Sequence, residues 1–264
     1  MICLGFDIEE FDAPLEYGKH LSEEEQIAIS KEGTLHVLEV LKRHDIRATF
    51  FCTAFFAREQ PGLIRRIAEE GHEVASHGFY HSCFLPEHLK ASKDLLENVT
   101  GQAVKGFRMA RMMQEASDRE ILKAGYSYNS SLNPTFLPGR YNHLRSPRTP
   151  FMQNGVWQLP ASVTPLWRIP LFWLSLHHLP LWLYQWLCRR TARHDNYLNI
   201  YFHPWEFIDL HDAKKFGLPF YLSRRSGTPM IRRLDKLVAC LKKHSFRFGS
   251  LSEWIRQAEN APPQ

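Results

Sequence analysis

Two imidazoles lie four residues apart in the stretch Ser76-His77-Gly78-Phe79-Tyr80-His81, directly after a short apolar run that reads as a strand. Side chains at i and i+4 of a helical turn share a face, about 5–6 Å apart at Cβ, so His77 and His81 can converge on one ion. The pair alone does not exclude two hydrogen-bonded surface histidines at a strand end. A second cluster of reactive types opens the chain. Asp7, Glu9, Glu10 and Asp12 arrive in quick succession at the end of the apolar run Ile2-Cys3-Leu4-Gly5-Phe6. Side chains alternate along a strand, which sends Asp7 and Glu9 to one side and Ile8 and Glu10 to the other. Asp7 stands one residue inside the apolar segment, where an unpaired carboxylate is costly.

The elements that must position these groups follow from periodicity. Residues 2–8 predict a buried strand. Ser22 with Glu25 is a capping box, and Ile27, Leu35, Leu38 and Leu41 recur at helical spacing, so 22–44 predicts a long helix. A strand is expected over 47–52. A helix begins at Pro61, buries Leu63, Ile64, Ile67 and Ala68, and ends at Gly71. The strand 72–76 then carries the histidines at its carboxyl end. A helix over 86–98, a strand at 105–108, a helix opened by Ser117 with Glu120 and a strand at 126–128 continue the alternation. Residues 131–155, with Pro134, Pro138, Pro147 and Pro150, read as mostly loop. Strands at 156–159 and 197–202 and helices at 230–244 and 251–259 complete the chain. Such alternation implies a parallel sheet covered by helices, with ligands at the carboxyl ends of the strands. Asp7, Glu9, His77, His81, Arg108 and His203 all fall at such ends.

The 264 residues, 44% hydrophobic and 23% charged, suit one α/β domain and exclude disorder. Five scattered cysteines with no CxxC pair read as reduced thiols of a cytosolic protein. No signal peptide is expected, because Asp7 interrupts the first apolar run too early.

Phe6-Asp7-Ile8-Glu9-Glu10, the histidine stretch, Phe107-Arg108 and Ile200-Tyr201-Phe202-His203 resemble, in order and rough spacing, the motifs of the polysaccharide deacetylase family with the NodB homology domain. The resemblance covers about residues 1–255. It implies an α/β fold, a distorted (β/α) barrel of about seven parallel strands, that removes N- or O-acetyl groups from a sugar or polysaccharide with a divalent metal, usually Zn²⁺. It further implies His77, His81 and Glu9 as metal ligands, Asp7 as the base that takes a proton from water, Arg108 orienting that base, and His203 as the acid. Two imidazoles and one carboxylate leave such an ion open to water and a carbonyl.

The chain departs from the family pattern in three places. Adjacent aspartates are usual in the first motif, whereas here Glu10, one methylene longer than aspartate, competes with Glu9 for the metal. Arg108 is followed by Met109-Ala110-Arg111 in place of a proline and an aromatic. At the position of the acid that tunes the catalytic histidine, Tyr128-Asn129-Ser130-Ser131 offers Asn129. A barrel that kept the fold without turnover, binding glycan or scaffolding a complex, therefore stands beside the enzyme.

Residues 165–188 are rich in Trp, Leu and Pro, with no formal charge from Ile169 to Cys188. That length could cross a bilayer. Pro180 and His177-His178 would fall mid-span, and a single crossing would part His203 from His77. The stretch is instead expected as an apolar helical insertion at about 160–195. It either packs on the barrel or lies at a lipid interface with Trp167, Trp173, Trp182 and Trp186 at headgroup depth. Trp173, Trp182 and Trp205 are candidate substrate or lipid contacts. Thirteen Lys and Arg face five Asp and Glu between Leu187 and Arg247. This favours an anionic membrane surface or a lipid-diphosphate-linked amino sugar, to be deformylated or deacetylated there, as partner. The whole-chain net charge of only +5, with no recognition motif, argues against nucleic acid.

Overall fold

A strand apolar on both faces can only be satisfied in the middle of a sheet covered on both sides. In the computed structural model, which describes residues 1–260, Ile2–Ile8 forms β1 and pairs in parallel with a strand on each side. After β1 come α1 (Glu23–Arg43), β2 (Thr49–Cys52), α2 (Ala54–Glu59), α3 (Pro61–Glu69), β3 (Glu73–Ser76), α4 (Glu87–Thr100), β4 (Gly106–Phe107), α5 (Asp118–Lys123) and β5 (Tyr128–Asn129). The hairpin β6 (Phe136–Leu137) and β7 (Tyr141–Asn142) precedes β8 (Phe151–Gln153) and β9 (Val156–Gln158). Helices α6 (Trp173–His178) and α7 (Leu181–Asp195) lead to β10 (Leu198–Phe202), and α8 (Phe220–Ser223), α9 (Thr228–Lys243) and α10 (Leu251–Glu259) follow.

The main sheet runs β10-β1-β2-β3-β4-β5-β9-β8, parallel throughout except where β8 folds back on β9. The expected run of about seven parallel strands is thus β10 to β9. Residues after β9 span the remaining gap: Leu159 N–H donates to Asn129 O at 2.9 Å, and Ser162 N–H to Asn199 O at 2.8 Å. The sheet therefore curls into a distorted (β/α) barrel.

Alternation sorts the side chains. Ile2, Leu4, Phe6 and Ile8 of β1 pack outward with Phe50, Ile200 and Phe202 beneath the helices, while Cys3, Phe51, Ala75 and Tyr128 point into the barrel, whose floor α10 closes with Leu251 and Ile255. The capping boxes at Ser22 and Ser117 start α1 and α5 as their sequences require. Gly33 lets α1 touch the loop after β10: a Cβ there would lie 1.9 Å from Pro204 O.

The apolar stretch is divided at Pro180 into α6 and α7, and no helix among the described residues is long and apolar enough to cross a membrane. Its tryptophans part company. Trp167 and Trp182 are 78% and 70% exposed, whereas the Trp173 ring packs edge-on against His203 and Trp205. The expectation of all four tryptophans at one interface is corrected by this inward turn of Trp173.

Candidate metal centre and active site

β1 ends at Ile8, and the acids that follow it diverge. Asp7, still in the strand, points into the barrel and meets Arg108 from the end of β4, with Nη1 2.6 Å from Oδ1 and both side chains buried. Arg108 reaches this place because Gly5 leaves the room: a Cβ on Gly5 would lie 2.9 Å from Nη1. The guanidinium lies 3.9 Å from the Phe51 ring centre and donates through Nε to Ser130 O and through Nη2 to Ser130 Oγ. The cost of burying Asp7 is thus met by a charged, hydrogen-bonded partner.

Glu9, one step beyond the strand, sits between the two imidazoles. Its Oε2 lies 3.3 Å from His77 Nε2 and 3.1 Å from His81 Nε2, and all three side chains are buried. The ring nitrogens turned away are each held: His77 Nδ1 by Arg108 O at 2.9 Å, His81 Nδ1 by Asp12 Oδ1 at 2.8 Å. Fixing Nδ1 in this way leaves Nε2 of each ring free to ligate. Trp205 Nε1 donates to Glu9 Oε1 at 3.1 Å, while Oε2 has no hydrogen-bond donor. One free carboxylate oxygen and two imidazole nitrogens, with ligand atoms all within 4.8 Å of one another, are a donor set suited to a divalent transition metal. With no metal, burial would raise the Glu9 carboxyl, but His81, His203 and His77 outweigh it and hold the group well below the usual carboxylate range. Burial would likewise lower His81, yet Glu9 and Asp12 push it up to about 9.

Three expectations need correcting. Glu10 does not compete for the metal: its carboxylate accepts from Thr53 Oγ1 at 2.6 Å and from the His81 amide, so its extra reach is spent there. His77 and His81 do not share a helical turn. The backbone from 77 to 85 is irregular, with Gly78 at φ +85°, and the rings meet through a loop. Asn129 does not stand in for an acid partner of His203; its Oδ1 accepts from the Ser131 amide at 3.1 Å.

His203, directly after β10, finds its carboxylate in Glu206. Nδ1 and the backbone N–H of His203 lie 2.9 and 2.6 Å from Glu206 Oε1. Burial would lower the imidazole, but Glu9 and Glu206 outweigh it and raise its pKa. Asp12, Glu206 and the ring N–H of Trp205 are the positioning groups that the sequence reading missed. A glutamate three residues after His203, in the spacing of a capping box, was the available signal.

Asp7, Glu9, His81, His203, Trp173 and Trp205 line one cleft of about 280 Å³. A second cleft, lined by His77, His81 and Arg111, adjoins it. Arg111 adopts φ +57° and reaches Asp12 and Glu16 at 3.4 and 3.2 Å. Trp205 lines the cleft but is 5% exposed and engaged with Glu9, while Trp182 lies on the outer face of α7 away from it.

A family model described as polysaccharide deacetylase matches residues 25–128, and one described as a domain of unknown function (DUF3473) matches residues 130–256. His77, His81 and Arg108 fall in the first match and His203 in the second, while Asp7 and Glu9 lie upstream of both. Both segments contribute strands to one sheet. The chain is similar to the peptidoglycan-N-acetylmuramic acid deacetylase PdaA of Bacillus subtilis, 38% identical over 72 residues, 27% of each chain. It is similar also to a chitooligosaccharide deacetylase of Sinorhizobium fredii, 39% identical over 88 residues, 33% of this chain and 38% of that one. These alignments therefore span 27% and 38% of the two relatives' lengths. A solved structure from Pseudomonas aeruginosa PAO1, titled a probable polysaccharide deacetylase, superposes over 100% of this chain and 92% of its own with a TM-score of 0.70 at 15% identity, which is a likeness of fold. Sequence match and barrel agree on a polysaccharide deacetylase of NodB-like form, the family match resting on residues 25–128.

Proposed function

We propose that this protein hydrolyses an N-acetyl group on an amino sugar of a polysaccharide or oligosaccharide. The observation that carries the reading is that the acid-paired His203, Asp7 of the buried Asp–Arg pair, and Glu9 and His81 of the cluster line one cleft, with His77 in the cleft that adjoins it. A bound divalent ion such as Zn²⁺, held by Glu9, His77 and His81, would supply Lewis acidity to the acyl carbonyl and acidify a water. Arg108 occupies Asp7 Oδ1, so the other carboxylate oxygen is the one available to take the water proton. As water oxygen bonds to the carbonyl carbon and the C–N bond breaks, His203 Nε2 delivers a proton to the departing nitrogen, leaving a free amine and acetate. The two adjoining clefts favour a chain of sugars over a single ring.

The test pairs metal content with acetate release from N-acetylated chitooligosaccharides. Near one equivalent of transition metal in the wild type, lost in His81→Ala, with acetate release abolished in Asp7→Asn while metal is kept, supports the reading. Metal-free protein after incubation with Zn²⁺, or acetate release unaltered in Asp7→Asn, overturns it. Metal binding with no acyl release from any acylated sugar would leave the non-catalytic barrel.

A second reading concerns where the sugar is presented. Leu166 and Trp167 are exposed and share a groove with Trp186 and Arg190 of α7, which also exposes Trp182 and Arg193. Aromatic rings next to cations suit an anionic lipid surface, and with it a lipid-linked amino sugar. Co-sedimentation with phosphatidylglycerol vesicles, lost in the Trp167→Ala/Trp182→Ala double variant, is the expected result. No sedimentation of the wild type removes this reading.

A further inference from the structure

Glu206 is wholly buried, and its two oxygens are treated differently. Oε1 accepts two N–H groups of His203, whereas Oε2 has no hydrogen-bond donor. The group nearest to Oε2 in charge and geometry is His177, itself wholly buried on α6, with Nε2 at 3.5 Å and neither ring nitrogen otherwise engaged. An ionised carboxylate without solvent costs several kcal/mol unless paired, and a buried imidazole with two idle nitrogens is equally anomalous. A proton on Nε2 directed at Oε2 gives the carboxylate its missing donor and engages one of the two idle nitrogens.

We propose that His177 is a positioning residue for His203, acting through Glu206. A proton on His177 Nε2 holds Glu206 as an acceptor on both oxygens, and Glu206 in turn accepts from His203 Nδ1–H, so that Nε2, the nitrogen that gives up its proton in the reaction, faces the cleft. The line His203–Glu206–His177 therefore ties the apolar stretch before β10 to the site. It explains why α6 sends His177 inward behind Trp173, whose ring packs edge-on against both histidines. The other charged or titratable groups against this line are Arg225, which donates to His177 O, Arg233, which donates to Leu176 O and Leu179 O, and Tyr184, whose buried hydroxyl has no partner. Both arginines spend their donors on carbonyls. They supply none to Oε2.

The inference rests on His203 being the acid of the proposed reaction, so its test has one arm that does not need turnover. The protein labelled with ¹⁵N-histidine reports the His203 Nδ1–H hydrogen bond directly. His177→Gln keeps an N–H donor at the reach of Nε2, and His177→Asn, equally polar, falls short of it. The His203 signals are expected to show a hydrogen-bonded Nδ1–H in the wild type and in His177→Gln, and to move in His177→Asn and His177→Leu. In the kinetic arm, kcat on N-acetylated chitooligosaccharides falls at least about tenfold in His177→Asn with KM little changed, and is largely restored in His177→Gln, the effect of a misplaced general acid. His203 signals identical in wild type, Asn and Gln variants overturn the inference, even if His177→Leu fails to fold. A wild type with no turnover but with shifted His203 signals in His177→Asn upholds the His177 line and sinks the reading of the reaction instead.

Discussion

Arg108 Nη1 lies 2.6 Å from Asp7 Oδ1, with 0% and 3% of the two side chains exposed, so the proposed base is clamped by a cation that water does not reach. Phe51 beneath and Ser130 on two further nitrogens fix the guanidinium from other sides. Removing one member strands the other. Arg108→Met, similar in length and uncharged, is expected to cost about 3–5 kcal/mol and to lower the melting temperature by on the order of 10 °C. Asp7→Asn is expected to lower acyl release by about 10²–10⁴-fold, the usual worth of a general base, while leaving metal content unchanged. Calorimetry with acetate assays checks both, and an unchanged melt in Arg108→Met would show that the pair contributes nothing to stability.

Gly33 faces backbone, which cannot swing aside as a side chain can. A methyl group there would lie 1.9 Å from Pro204 O, so Gly33→Ala must push α1 off the loop carrying His203, Trp205 and Glu206. Overpacking of this kind costs about 1–3 kcal/mol, and here it should also lower turnover by moving the acid. Gly62→Ala, where an added Cβ meets nothing within 4 Å, is the control and is expected to melt like wild type or slightly higher. Equal melts for the two variants would contradict the packing argument.

The first strand was legible because its apolar run is interrupted only where side chains enter the barrel, and that same alternation correctly set Asp7 and Glu9 apart from Ile8. The argument from reach failed for Glu10, whose longer side chain is taken up by Thr53 Oγ1 and the His81 amide. The histidine pair was found for an incomplete reason: the spacing was right, but a loop through Gly78 and not a helical turn brings the rings together. Trp173 and Trp182 look alike in sequence, and only the placing of α6 and α7 decides that one faces His203 and the other solvent. Asp12 was illegible as a partner of His81 because which carboxylate reaches which Nδ1 depends on loop paths, whereas the spacing of Glu206 from His203 was a signal left unread.

With no metal bound, Glu9 and His81 stabilise one another over a defined pH window. Glu9 is held below its unfolded value, so its contribution is present above about pH 4.5 and fades as pH falls through and beyond it. His81 is raised from 6.5 to about 9, so its contribution is complete below 6.5 and lost as pH rises through about 9. The metal-free protein should therefore be most resistant to urea between about pH 5 and 6.5, weakening toward pH 9. His81→Gln should flatten the alkaline limb. Urea midpoints of chelator-treated protein that do not fall between pH 6.5 and 9 would contradict the assignment of His81.

Asp12 acts on the proposed metal only through His81. Its Oδ1 holds His81 Nδ1 at 2.8 Å, which orients the ring and makes Nε2 the better donor, while Arg111 touches its other oxygen at 3.4 Å. Asp12→Asn keeps the size and offers either an oxygen or an N–H to the ring. If the amide turns its oxygen to Nδ1, the orientation survives without the negative charge that raises ligand basicity. Loss of such an outer partner typically costs about 10–100-fold in metal affinity, and competition with a chromophoric chelator measures it. Glu16→Gln, which removes the other carboxylate on Arg111 without touching His81, should leave affinity within about threefold if only the partners of the ligands matter. Equal affinities for wild type and Asp12→Asn would mean that His81 is oriented by the loop alone, and that Asp12 serves Arg111 instead.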